Sequence, residues 1–265
     1  MTEIWLYTMS LNEERMLPFF FRHYDRWIDR YIVYDDGSTD RTLEMFAARP
    51  DVEVRRFERS VPGSFVISAT LLQNAAWKEA WGRAAWVVIT AIDEHLHHPD
   101  ILGYLASCRR AGVSAIPALG FQMLTERFPD STEWLADTRR LGAPFEDMNK
   151  LAIFDPNLIE ETNFTLGRHT AEPTGHVAYP EADELVNLHY KYLETAYLRS
   201  RHALLLDGLG EVDKAAGLGW HYQLSTDQLD AEWRRFAAMA LDYRDPTVGV
   251  TTHLDRWWRG SRRRS

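Results

Sequence analysis

A run of apolar residues that stops abruptly on acids and turn formers constrains this chain more than any other feature. Tyr31-Ile32-Val33-Tyr34 reads as a strand, and Asp35-Asp36-Gly37-Ser38-Thr39-Asp40 follows without a spacer. Branched and aromatic residues favour the pleated strand, Gly37 permits a sharp turn, and Ser38 or Thr39 can cap the next helix. Two carboxylates thereby reach the rim of a sheet, where open α/β folds bind ligands. The arrangement recurs where Ala85-Trp86-Val87-Val88-Ile89-Thr90 runs into Ile92-Asp93-Glu94-His95. Two strands delivering acids to one edge point to a nucleotide with a divalent cation.

The flanking segments supply the rest of such a fold. Residues 4–9 read as a first strand, rich in aromatic and branched side chains. Asn12 with Glu13 and Glu14 resembles a helix start, its acids near the positive end of the dipole, and Pro18 suits the first turn of the main helix. Phe19, Phe20, His23, Tyr24 and Trp27 then fall at helical spacing on the core side. Helices are predicted over 40–48 and 68–81, the second closed by Gly82, with a short alternating strand at 52–55. The strand over 85–90 is apolar throughout, as a central strand buried on both faces would be. This β-α-β-α-β order predicts an α/β fold with a mostly parallel sheet flanked by helices.

Beyond Pro99 the regularity fades. The pattern predicts a helix over 100–110, a strand over 113–116, mixed structure over 120–150 and a strand over 151–154. Helices follow over 194–206 and 226–243. The expected division is a domain over 1–190, with 1–100 binding the nucleotide and 101–190 shaping the acceptor side. A helical extension with a basic tail, 191–265, completes it.

Composition narrows the function classes. A formal charge of −9 argues against broad nucleic-acid binding, which needs cationic surface to displace counterions. Cys108 is the single cysteine, so no internal disulfide forms, and a reducing compartment fits. Glu3, Asn12, Glu13 and Glu14 stand where a secretory leader would need an apolar core, and no run reaches bilayer length, so a cytoplasmic setting is expected. There, Asn163-Phe164-Thr165 is a chance match to a glycosylation acceptor. The basic, aromatic segments Arg256-Trp257-Trp258-Arg259 and Arg262-Arg263-Arg264 have two readings. One is a solvated terminus; the other is peripheral contact with an anionic membrane surface or polyanionic partner.

Three pieces of the chain come in a telling order: Leu11-Asn12-Glu13-Glu14 with Leu17-Pro18-Phe19-Phe20, then Asp35-Asp36-Gly37-Ser38-Thr39-Asp40-Arg41-Thr42, then Ile92-Asp93-Glu94-His95-Leu96. In order and spacing they resemble the inverting family-2 glycosyltransferases of the GT-A fold, over the first hundred residues. The resemblance implies a nucleotide-sugar donor, a small-molecule or glycan acceptor, and transfer of one hexose-type sugar with inversion. It also implies a divalent cation, Mn²⁺ or Mg²⁺, that neutralises the leaving diphosphate. Carried over by position, Thr8, Asn12 and Glu13 would border the base and ribose, and Asp35 or Asp36 would accept a hydrogen bond from them. Gln73 and Asn74 stand where donor contacts are expected. The plainer readings are that Asp36 bonds its own turn and that Gln73 and Asn74 are ordinary helix surface.

The metal motif departs from the family pattern, Asp-x-Asp-Glu-Phe. Here it is Ala91-Ile92-Asp93-Glu94-His95, so the first acid is lost and a histidine replaces the aromatic. In an extended segment Asp93 and His95 share a face, and His95 would join Asp93 on a metal, with a preference for Mn²⁺ or another softer ion. The other reading is reduced metal dependence. His189, in Asn187-Leu188-His189-Tyr190, is expected to complete the metal shell, with His169 and His176 as further candidates and His97 and His98 as loop residues. For the base that inversion requires, the candidates are Asp147, from the Glu146-Asp147 pair, and Glu94, with Asp183-Glu184 as second choice. Two rival readings stand beside the transferase. A nucleotidyltransferase is disfavoured because residues 10–15 lack glycine; a non-catalytic sugar-nucleotide-binding scaffold is favoured by Ala91.

Overall fold

The computed structural model describes residues 2–245, 247 and 251–260. Arg262, Arg263 and Arg264 lie outside the described residues. Twelve strands are present among the described residues: β1 (Ile4–Ser10), β2 (Arg30–Asp35), β3 (Val52–Arg56), β4 (Trp86–Ile89), β5 (Glu94–His97), β6 (Ala115–Leu124), β7 (Leu141–Pro144), β8 (Lys150–Phe154), β9 (Ile159–Glu161), β10 (Thr174–Gly175), β11 (Val186–Tyr192) and β12 (Leu241–Asp242). The helices are α1 (Leu17–Tyr24), α2 (Thr42–Ala47), α3 (Phe65–Ala75), α4 (Ile101–Arg110), α5 (Leu135–Thr138), α6 (Thr195–Gly208), α7 (Glu211–Ala215) and α8 (Thr226–Met239).

The main sheet runs β12-β7-β6-β8-β4-β1-β2-β3. Its nucleus is parallel, β1 pairing with β2 and β4, and β2 with β3. This is the α/β arrangement expected from the first hundred residues. Past β4 the strands β8, β6, β7 and β12 join antiparallel, which is where the sequence pattern lost its regularity. β11 lies parallel to β6 and antiparallel to β5, and both branch off the main path of the same ten-stranded sheet.

Alternation explains why the central strands are apolar on both faces. Ile4 and Leu6 pack into one core with Phe20, Tyr24 and Tyr31; Trp5 and Tyr7 pack into the other with Trp77 and Phe154. A strand between two cores has no solvent side to mark with polar residues.

Several boundaries differ from expectation for local reasons. Asn12 is no helix start; it has a φ of +52°, and α1 begins only at Leu17, with Pro18 in its first turn as predicted. α3 opens at Phe65 because the Ser64 side chain accepts from the Ile67 amide, three residues before the predicted start. α1 ends at Tyr24, so Trp27 is buried from the loop beyond it rather than from the helix. The strand predicted over 113–116 becomes a ten-residue β6 reaching into the stretch read as mixed.

The last quarter of the chain is woven into the domain. The Arg201 guanidinium on α6 donates to the carbonyls of Leu11 and Asn12 and to Glu13. Asp213 on α7 is fully buried and accepts from the Ser64 hydroxyl and the amides of Phe65 and Val66, capping α3 from a distance. Arg256, Trp258 and Arg259 all close on the Asp183 carboxylate. That segment is therefore a clamp and not a frayed end, and its cations are already paired. No helix among the described residues is long and apolar enough to cross a membrane.

Candidate active site

β1, β2 and β4 end side by side, and three sequence motifs meet at that edge. Thr8 and Gln73 line a small cavity of about 20 Å³ together with Tyr7, Tyr34, Trp77 and Thr90. The neighbouring loop is self-contained. Asp35 accepts from the amides of Gly37 and Ser38, at 2.9 Å each, and from the Ser38 hydroxyl at 2.5 Å. Gly37, at φ +89°, makes this turn permissible. The Asn12 carboxamide accepts from the Thr39 amide at 2.7 Å, and the Glu13 amide donates to Thr42. Asp35 and Asn12 thus hold the loop's shape; of the two acids expected to accept a hydrogen bond from base or ribose, Asp35 is taken up by its own turn. Asp36 is left facing outward, half-buried and paired with Arg59 at 2.9 Å; burial raises its pKa while Arg59 opposes the shift. Asn74 is likewise occupied, accepting from Thr162 and the Phe164 amide and donating to Thr70 and Phe164 carbonyls. It clips α3 to the 162–164 loop, so it too is corrected from donor contact to architecture.

At the far end of this edge the structure brings together Asp93 and His189, which lie far apart in sequence. Asp93 sits in the turn between β4 and β5, and its carbonyl accepts from the Tyr190 amide at 2.7 Å. Antiparallel pairing sets His189 opposite Glu94, and parallel pairing sets His189 opposite Gln122 on β6. The result is a short chain: His189 Nε2 stands 3.4 Å from the Asp93 carboxylate, while its Nδ1–H donates to Gln122 at 2.6 Å. With Nδ1–H given to Gln122, Nε2 is the nitrogen turned to Asp93; it donates to that carboxylate when protonated and offers a lone pair to a metal ion when neutral. Burial works to raise the Asp93 pKa, yet the charges of His189, Arg201 and Lys191 hold it well below the usual carboxylate range.

His95 does not join this pair. It is 1% exposed, stacked on His23 at 4.8 Å and packed edge-on against Tyr24 and Tyr190. β5 starts at Glu94, and the turn before it rotates Asp93 away from the alternation that placed the two on one face. The ligand role expected of His95 is corrected to a core position. Glu94 is also reassigned. Its carboxylate, 4% exposed, binds Lys150 at 2.6 Å and Arg168 at 3.0 Å. Despite the opposing effect of burial, those cations hold its pKa down to about 2, so it cannot act as a base near neutrality.

The remaining candidates scatter. Asp147 is exposed on a 3₁₀ turn (Glu146–Met148) whose carbonyl accepts from His169 at 2.6 Å. His176 is exposed on the surface. His97 belongs to β5 and packs on Tyr243, and His98 stacks on Tyr104. Asp183 is committed to the clamp, which removes it as a base.

The C-terminal segments add residues that sequence reasoning missed: Arg201, Lys191 and Tyr222. Glu13, expected to border the base and ribose, is buried against Arg201 at 2.5 Å; burial pushes its pKa up to about 8 while Arg201 pulls the other way. Its second oxygen has no hydrogen-bond partner among the described residues. Lys191, two residues past His189 on β11, lies 4.7 Å from the Tyr222 ring. Burial draws its pKa down to about 8, opposed by Asp93 and Glu232. Tyr222 comes from a 3₁₀ turn (Trp220–Gln223) that begins at Gly219, in a left-handed conformation at φ +66°. The signal for this group was the His-Tyr-Lys run itself, since residues two apart on a strand share a face.

No protein-family model matches the chain, and no curated protein matches it. Among solved structures it is similar to S. aureus TarS 1-349, with a TM-score of 0.40 and 13% identity over 96% of this chain and 76% of that one. The same protein in complex with UDP-GlcNAc gives a TM-score of 0.39 at 12% identity, covering 96% and 77%. Glucosyl-3-phosphoglycerate synthase from Mycobacterium tuberculosis, in complex with Mn²⁺, UDP and phosphoglyceric acid, gives 0.32 at 21% identity, covering 46% of this chain and 43% of that one. At scores this low, no residue role or activity passes from those proteins to this chain.

Proposed function

We propose that this protein transfers a sugar from a nucleotide donor to a hydroxyl acceptor. The observation that carries the reading is the Asp93–His189–Gln122 chain at the edge where the parallel strands end. The base and ribose would lie along the open edge beside Thr8, Gln73 and Asp36, since the enclosed cavity there has room for about one water molecule. The diphosphate would lie between that cavity and Asp93.

Among the described residues no group of three or more metal-binding side chains is present. Asp93 and His189 are two hard-to-intermediate donors, one with its tautomer fixed, which fits an ion that completes its shell with ligand oxygens and water. Such an ion would supply positive charge to the leaving diphosphate. In this reading Asp93 and His189 hold that charge in place and Gln122 orients His189. Asp147, on the exposed turn beside His169, receives the acceptor proton, since Glu94 is committed elsewhere. Attack on the anomeric carbon from the side opposite the diphosphate then inverts its configuration.

The test is release of nucleoside diphosphate from a panel of nucleotide sugars, with and without Mn²⁺ or Mg²⁺ and with NMR of the product anomer. Asp93→Ala should lower turnover by about 10²-fold or more while leaving the melting temperature near that of the parent. Unchanged turnover in that variant would remove Asp93 from the mechanism. Binding of donor with no turnover by the parent would favour the scaffold.

A further inference from the structure

One bulky residue beside the site has a left-handed backbone. Among the described residues, positive φ outside glycine occurs at Asn12, Asn163 and Arg168. Asparagine tolerates that region through its short amide; arginine has no such means, so Arg168, at φ +58°, is the outlier. It follows Gly167, at φ +68°, in a short 3₁₀ turn, Leu166–Arg168. A backbone of this kind costs free energy and persists only where its surroundings over-determine it. Here they do. The Arg168 side chain is buried, and its guanidinium bridges the two sides of the turn that carries Asp93. Nη1 donates to the Ile89 carbonyl at the end of β4 at 2.7 Å, and Nη2 donates to the Glu94 carboxylate at the start of β5 at 3.0 Å.

The next residue reaches a different segment. His169 Nδ1–H donates to the Asp147 carbonyl at 2.6 Å, and its ring lies so close over Gly167 that a Cβ there would stand 2.6 Å from Nε2. Gly167 is thus required twice, by its φ and by the imidazole above it. The loop is also closed on itself and clipped to α3. Phe164 and Ala171 pair across it, the Thr165 amide donates to the Thr170 carbonyl at 3.1 Å, and the Phe164 amide donates to Asn74 at 2.8 Å. Lys150, three residues past Asp147, binds the other oxygen of Glu94. Two routes therefore join the Asp147 turn to the Asp93–Glu94 turn, one through Lys150 and one through His169 and Arg168.

We propose that Gly167-Arg168-His169 is a positioning strut that fixes the separation of two turns: the Asp93 turn, which holds the diphosphate end of the donor, and the Asp147 turn, where the acceptor loses its proton. This rests on the transferase reading and deepens it by naming what sets the distance between its two ends. All three residues act through others. Arg168 anchors the strut on the Asp93 turn, Gly167 permits the reversal, and His169 carries the Asp147 turn. The separation is thereby set before substrates bind, and a misplacement of about 1 Å between reacting groups costs about 10²-fold in rate.

The test is steady-state release of nucleoside diphosphate by the full chain from the nucleotide sugar it turns over, with kcat and donor KM read separately. His169→Ala should lower kcat by about 10- to 100-fold, with donor KM and melting temperature near the parent's because the ring is exposed. His169→Asn, whose amide nitrogen stands near the place of Nδ1, should return kcat to within a few-fold of the parent. Arg168→Lys keeps a cation beside Glu94 but cannot also bridge it to Ile89, and should lose kcat as His169→Ala does. In an Asp147→Asn background, His169→Ala should change kcat by less than about threefold, because it acts through that turn. Parental kcat in His169→Ala or Arg168→Lys, beside an impaired Asp147→Asn, would overturn the strut. So would losses that multiply in the double variant, a fall in melting temperature large enough to account for the loss in His169→Ala, or no recovery in His169→Asn. Full turnover in Asp147→Asn would instead remove the base from the transferase reading, and a parent that turns over no nucleotide sugar would remove that reading whole; the strut falls with either.

Discussion

Glu94 shows how neighbours decide what a carboxylate can do. It stands beside Asp93 in sequence, yet two buried cations hold its pKa near 2, against an ordinary value of 4.5. A depressed native pKa means the unfolded chain binds more protons through this interval. The associated stability is therefore full above about pH 4.5 and is lost as pH falls towards 2. Glu94→Gln should remove that acid limb from a plot of melting temperature against pH. It should also cost about 3–5 kcal/mol at neutrality, because Lys150 and Arg168 would remain buried without their partner. Gln122 acts through His189 instead of on a ligand. Gln122→Leu should lower metal affinity or turnover by about 10- to 100-fold, with Gln122→Asn and Gln122→Glu as the variants that report on the tautomer.

Among the elements, α7 and the start of α3 form one unit although well over a hundred residues separate them. The Asp213 carboxylate takes the amides of Phe65 and Val66 and the Ser64 hydroxyl, and also the amide of Gly210 at its own helix start. A carboxylate at a helix N-terminus meets both the orphan donors and the positive end of the dipole. Asp213→Ala should lower stability by about 1–3 kcal/mol, read as a shift in urea midpoint at unchanged slope. Since α3 carries Gln73, donor affinity should fall in parallel. The sequence marked α3 by its apolar spacing, and Ser64 just before it is a legible cap. Asp213 was not legible as a partner, because nothing local ties the two segments.

At the scale of the whole molecule the C-terminal quarter is part of the domain. Trp257 donates to the Asn149 carbonyl, His253 donates to the Gly120 carbonyl, and Asp183 gathers Arg256, Trp258 and Arg259. A chain ending after Met239 should therefore melt well below the parent in calorimetry, whereas a solvated tail would leave the transition unmoved. Parallel strands, the acid-tipped loop after β2 and the proline at the start of α1 were all determined by the sequence itself, because each follows from alternation, branching or turn chemistry within a few residues. The site was decided by tertiary structure. Asp93, Gln122 and His189 meet only through the register of β5, β6 and β11, and His95 leaves them through a single turn. Those outcomes depend on pairings between distant segments, and no local pattern of side chains encodes a register it does not touch.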